Sequence, residues 1–179
     1  MALHTLTTLA KGAGFALGVA VAALAFTGWP VARGTGVPGA DVVFVSAPTG
    51  ELAVSPTGAF AAATDLMPSD DPARARVGRF AVSNLTRKPL LVRLRALPDD
   101  RALDGLLYVR IDVGSQQLFS GRLGSLRRWT RDGIALPVST RRTLTFRIWL
   151  PASVESGFQG QTESVPLELK AVPMPRLDG

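Results

Sequence analysis

Cysteine is absent from all 179 residues. That excludes disulfide frameworks, thiolate metal sites, cysteine nucleophiles and a lipidated N-terminal cysteine. Histidine is nearly absent: the one imidazole, His4, sits at the extreme N-terminus. The rest of the chain therefore has no Ser-His-Asp triad, no imidazole zinc ligand and no H-E-x-x-H helix. Lysine is scarce, with only Lys11, Lys88 and Lys170 among many arginines. The formal charge is +6, but an arginine bias beside abundant alanine fits the codon economy of a GC-rich genome better than a nucleic-acid footprint. Its functional alternative is affinity for an anionic surface or polymer.

Hydrophobic residues make up 46% of the chain, too many for wholesale disorder. They are unevenly placed. Lys11 and the α-amino group give a basic start, and residues 12–25 (GAGFALGVAVAALA) form an uncharged apolar run. Ala23-Leu24-Ala25 supplies the small-x-small pattern of a signal-peptidase site, with cleavage expected after Ala25. The uncharged stretch continues to Trp29, which makes 18 residues. An uncleaved membrane anchor is thus the alternative. In both cases Lys11 stays inside and the remainder is exported. No second apolar run of that length follows, so contact with the membrane is expected only through this segment.

The chain divides into a signal peptide at 1–25 (or an anchor to 29), a flexible Gly/Pro tether at 26–40, one folded domain at 41–173 and a tail at 174–179. Gly34-Thr35-Gly36-Val37-Pro38-Gly39 formally matches G-x-G-x-x-G. It lacks the preceding strand and following helix that a dinucleotide site needs, so it is a coincidence.

From Asp41 onward the apolar period is two. Short alternating runs occupy 41–47, 51–55, 79–85, 90–96, 107–113, 117–120, 143–150 and 164–171. Turn-rich breaks separate them at 67–72, 98–100 and 139–140. Only 122–129 (RLGSLRRW) suits a helical turn. Pro166 cannot donate to a ladder, which places its strand at an edge or the proline at an unpaired position. The pattern predicts an all-β, antiparallel two-sheet β-sandwich, jelly-roll-like or immunoglobulin-like, preceded by an N-terminal signal helix.

The sequence presents no recognisable catalytic residue, cofactor site or metal site, so a non-enzyme is expected. Asp70-Asp71 and Asp99-Asp100 could offer oxygens to calcium, but neither pair lies in an EF-hand frame, and aspartates beside prolines are turn formers. Asn84-Leu85-Thr86 fits an N-glycosylation acceptor. Arg127, Arg128 and Arg131, with Arg141-Arg142, lie near Trp129 and Trp149. Arginines interleaved with aromatics can bind polymers, and Arg127, Arg128, Trp129, Arg131 and Trp149 are the candidate binding surface. The plainer reading is a set of solvated loops and sheet edges.

Several segments together resemble the TasA/camelysin (CalY) family of secreted bacterial β-sandwich matrix proteins. Gly50-Glu51-Leu52-Ala53-Val54 looks like that family's early strand, and Asp65-Leu66-Met67-Pro68-Ser69-Asp70 is similar to its L-x-P-G-D turn. Arg79-Phe80-Ala81-Val82-Ser83-Asn84 resembles its f-x-V-x-N strand. Leu150-Pro151, then Gln159-Gly160 and a β run to Ala171, resemble its ending. Ser69 stands where the family has glycine, and Ala25-Phe26-Thr27 only faintly echoes its aromatic start. The resemblance implies an extracellular or cell-surface structural protein related to biofilm fibre subunits. Its expected partners are copies of itself, in filaments or oligomers formed by strand addition, or cell-envelope polymers, and no nucleic acid. In that picture residues 26–47 are a donor for the open sheet edge of a neighbour. The family's metallopeptidase label finds no set of nitrogen ligands for zinc in this chain, whose one imidazole is His4.

Overall fold

Alternation of buried and half-buried side chains from Ala40 to Ser46 is what a strand with one face in a core requires. The same period recurs through the computed structural model, which describes residues 39–98 and 102–174. The expected signal segment, its cleavage point at Ala25 and the tether up to residue 38 lie outside the described residues. Asp99, Asp100 and the tail from residue 175 lie outside them as well.

Ten strands follow in order: β1 (Ala40–Ser46), β2 (Leu52–Ser55), β3 (Gly58–Leu66), β4 (Arg76–Asn84), β5 (Leu90–Ala96), β6 (Tyr108–Val113), β7 (Gln116–Arg122), β8 (Ile134–Leu136), β9 (Arg141–Trp149) and β10 (Thr162–Pro173). One short helix, α1 (Leu103–Leu106), precedes β6. Single 3-10 turns cover Pro72–Arg74 and Leu123–Arg127. The second of these falls where a helical turn is expected. Among the described residues, no helix is long and apolar enough to cross a membrane.

The strands form two five-stranded sheets, β3-β1-β10-β5-β8 and β2-β4-β9-β6-β7. They pack face to face around Phe44 of the first sheet and Phe80 and Phe146 of the second, all essentially buried. The Phe44 and Phe146 rings lie 5.6 Å apart, within the range of favourable aromatic pairs. The all-β, two-sheet sandwich is therefore present.

Two expectations need correction, and a third is decided between its alternatives. The sheets are not wholly antiparallel, because β1 runs parallel to β10, from Asp41 opposite Thr162 to Ser46 opposite Leu167. Alternation fixes which face a residue takes but not the direction of its neighbour. Of the two placements expected for Pro166, the unpaired position is the one found and the edge strand is not, since β10 lies between β1 and β5. The missing donor falls where the β5 ladder ends: the Leu97 amide donates to the Pro166 carbonyl at 2.8 Å, and no return bond is possible. Finally, residues 41–47 are not a free donor. β1 pairs on both sides and sends Ala40, Val42 and Phe44 into the core with no exposure.

Strand β3 was not visible in the sequence pattern. Two register shifts against β1 put extra residues into β3. At the first, Ala61 faces Phe44 and Ala59 faces Val45, so Phe60 is the bulged residue. A bulge re-aims a side chain, and the Phe60 ring reaches Phe80 at 4.6 Å and Phe146 at 5.0 Å.

Candidate functional site

The five arginine and tryptophan candidates do not form one surface. Trp129, just after the 3-10 turn, lies over the outer face of the first sheet. The Arg95 guanidinium is 4.7 Å from its ring centre and the Lys170 ammonium 6.0 Å. Arg95 also meets Glu168 on the adjacent strand at 2.6 Å. Thr130 anchors this segment by donating its amide to Leu94 O and accepting the Leu94 amide on its hydroxyl. Arg127 reaches back to the Asp104 carboxylate in α1, which ties the 3-10 turn to the short helix. Arg128 and Arg131 are exposed.

Trp149 lies on the opposite side of the molecule. In β9 Phe146 and Ile148 are buried, as is Leu150 just beyond its end, so Trp149 faces outward from the second sheet. Its cross-strand partner is Tyr108, with ring centres 5.6 Å apart and planes 40° apart. Tyr108 in turn is opposite Arg122 on β7. Arg122, Tyr108 and Trp149 thus form one row across three strands. The next row on the same face holds Arg110 opposite Arg147. Both guanidiniums converge on Asp112, Arg110 at 3.0 Å and Arg147 more closely. Asp112 is 7% exposed, which a carboxylate tolerates when two cations share it.

At the end of this face the segment after Leu150 folds over Tyr108 and Trp149 and leaves a cleft of about 460 Å³. Arg122, Ser153, Glu155 and Ser156 add polar groups to the aromatic wall. Of these residues only Trp149 was marked in the sequence. The wet positions of single strands are legible, but the register that lines up Arg122, Tyr108 and Trp149 is not.

Other sequence candidates have structural partners. Asn84 is 5% exposed and its amide donates to Lys88 O, Leu136 O and Pro137 O. Its oxygen accepts from the Thr86 amide and hydroxyl. The Asn-x-Thr match is therefore a loop brace whose amide points inward. Asp70 accepts the Ala152 amide and Asp71 accepts the Ala73 amide, as turn-forming carboxylates do. Pro68 bridges Leu150, and the Ser69 amide donates to Leu150 O at 2.9 Å. The 65–70 turn and Leu150-Pro151 are thus in direct contact. Among the described residues no three His, Cys, Asp or Glu side chains converge as metal ligands.

No protein-family model matches the chain, and no curated protein is significantly similar to it.

Proposed function

We propose that the chain is an exported, non-catalytic structural protein of the cell surface or extracellular matrix, of the TasA/camelysin kind, and that it assembles by exchanging β1 between copies. The supporting observation is the wedged position of β1. Taken alone, β3 to β10 follow the order of an eight-stranded jelly roll, β3-β10-β5-β8 facing β4-β9-β6-β7. In that frame the first and last strands, β3 and β10, are neighbours. β1 enters between them as a ninth element, antiparallel to one and parallel to the other.

Without β1, both flanking strands lose a ladder and the core loses Val42 and Phe44. Burial of each of these side chains contributes roughly 1.5–3 kcal/mol. The slot is therefore filled in every stable copy, by the chain's own strand or by a neighbour's. Exchange of an identical element keeps every contact, and a head-to-tail exchange that does not close produces a filament. β1 also takes up the chain where the Gly/Pro-rich connection from the signal or anchor segment ends, with Ala40 already in the strand, so it is the strand nearest the point of export.

The test uses the absence of cysteine. Val43 and Ser164 are parallel neighbours on the outer side of the sheet, and the double variant Val43→Cys, Ser164→Cys locks β1 into its own chain when oxidised. Electron microscopy and sedimentation should show oxidised protein as monomer and reduced protein as filaments or oligomers. Equal assembly in both states, or none in either across a wide concentration range, contradicts strand exchange. Sequencing the N-terminus of protein recovered from culture and envelope fractions tests export, with Phe26 expected if cleavage follows Ala25.

A further inference from the structure

The Tyr108–Trp149 cleft lies on the second sheet, away from β1, and strand exchange gives it no role. We infer that it is a binding site for an anionic glycan, a polysaccharide chain bearing carboxylates, held by ring stacking on the aromatic wall and by Arg122 at its edge.

Three observations lead there. Two large aromatic side chains sit side by side on an outward sheet face, half-buried in a cleft. A sugar ring presents C–H groups to such a surface, and Tyr and Trp add a polar handle. The cleft, about 460 Å³, is of the size that takes small ligands, and two or three sugar units fit such a volume. The third observation is charge. Arg122 makes no ion pair among the described residues, and beside it Arg110 and Arg147 share the single carboxylate of Asp112. A guanidinium with free donors matches a carboxylate in a planar, two-bond arrangement.

The polar groups on the other wall refine the ligand class. Ser153 and Ser156 can donate to and accept from hydroxyls, and Glu155 accepts from them. Glu155 opposes phosphates and carboxylates alike, so the hydroxyls distinguish the ligand classes. A sugar polymer offers O–H groups to Glu155 and the serines all along its length, whereas an oligothymidylate has no hydroxyls between its ends. Two further exposed arginines of this face, Arg79 opposite Thr145 and Arg141 opposite Ser83, extend the positive field along the sheet toward β4 and favour a long chain over a single sugar acid.

The experiment is affinity electrophoresis and titration calorimetry of the full-length protein with polygalacturonate, neutral dextran and a single-stranded oligothymidylate. Polygalacturonate should retard the protein and dextran should not. Retardation should disappear in Trp149→Ala and weaken roughly ten-fold in Arg122→Ser, the loss expected for one charged hydrogen-bonding group. Arg122 is exposed, so its variant decides alone if Trp149→Ala lowers the melting temperature. No retardation by polygalacturonate overturns the inference. So does binding that survives both substitutions, equal retardation by dextran, or tighter binding of the oligothymidylate.

Discussion

The side chain of Asn84 takes part in five hydrogen bonds. The residue lies at the end of β4, and the two N–H groups of its side-chain amide are shared among the carbonyls of Lys88, Leu136 and Pro137 while its oxygen accepts two bonds from Thr86. Buried carbonyls left without donors cost about 1–3 kcal/mol each when water cannot reach them. Asn84→Ala should therefore destabilise the protein by about 3 kcal/mol in urea titration, with the slope unchanged. Asn84→Asp should do nearly as much harm, since it keeps the shape and loses the donors. A loss below about 0.5 kcal/mol would mean that these bonds do not hold the loops. The same geometry predicts no glycan at Asn84 in the folded protein. The sequence pattern drew attention to this residue for its match to an acceptor motif, but its role depends on Leu136 and Pro137, more than fifty positions away.

At the scale of elements, the two layers approach most closely where β3 crosses β4. A Cβ on Gly78 would stand 2.0 Å from the Ala61 Cβ and 2.7 Å from its Cα, so only glycine fits. Gly78→Ala should cost about 1–3 kcal/mol, as overpacking does. Adding Ala61→Gly should recover at least half of it, a coupling that a thermodynamic cycle measures. If the two effects simply add, the sheets are not in contact there. This contact also explains why β3 was illegible. The strand needs small residues where it meets β4, and Ala59, Ala61, Ala62 and Ala63 give little β-propensity. Its two bulges break the period of two on which strand recognition rests. β8, at three residues, is too short to show a period at all. The clear alternations in β5, β9 and β10 were legible because each has one dry face and one wet face. Their neighbours are not legible, so the sequence does not show that Trp129 lies by Arg95 of the first sheet and Trp149 by Tyr108 of the second. The Arg122, Tyr108, Trp149 row stayed hidden for the same reason: cross-strand register is set by turns and by packing between strands distant in sequence.

At the scale of the whole molecule, the two sheets carry two different surfaces. The first sheet holds β1 in a slot between β3 and β10, and assembly is assigned to that slot. The second sheet presents a row of aromatics and arginines to solvent, and ligand binding is assigned to that face. A filament built through the first sheet would repeat the second sheet's cleft along its length. Many weak sites for one long glycan chain then act together, and avidity exceeds any single affinity when the spacing allows simultaneous engagement. The most direct test of the central claim mixes two single-cysteine proteins, Val43→Cys and Ser164→Cys, assembles them and oxidises. Strand exchange predicts disulfide-linked heterodimers in the assembled fraction, because β1 of one copy then lies in register beside β10 of another, and none in the monomer fraction. Assemblies that form without this crosslink would contradict the account.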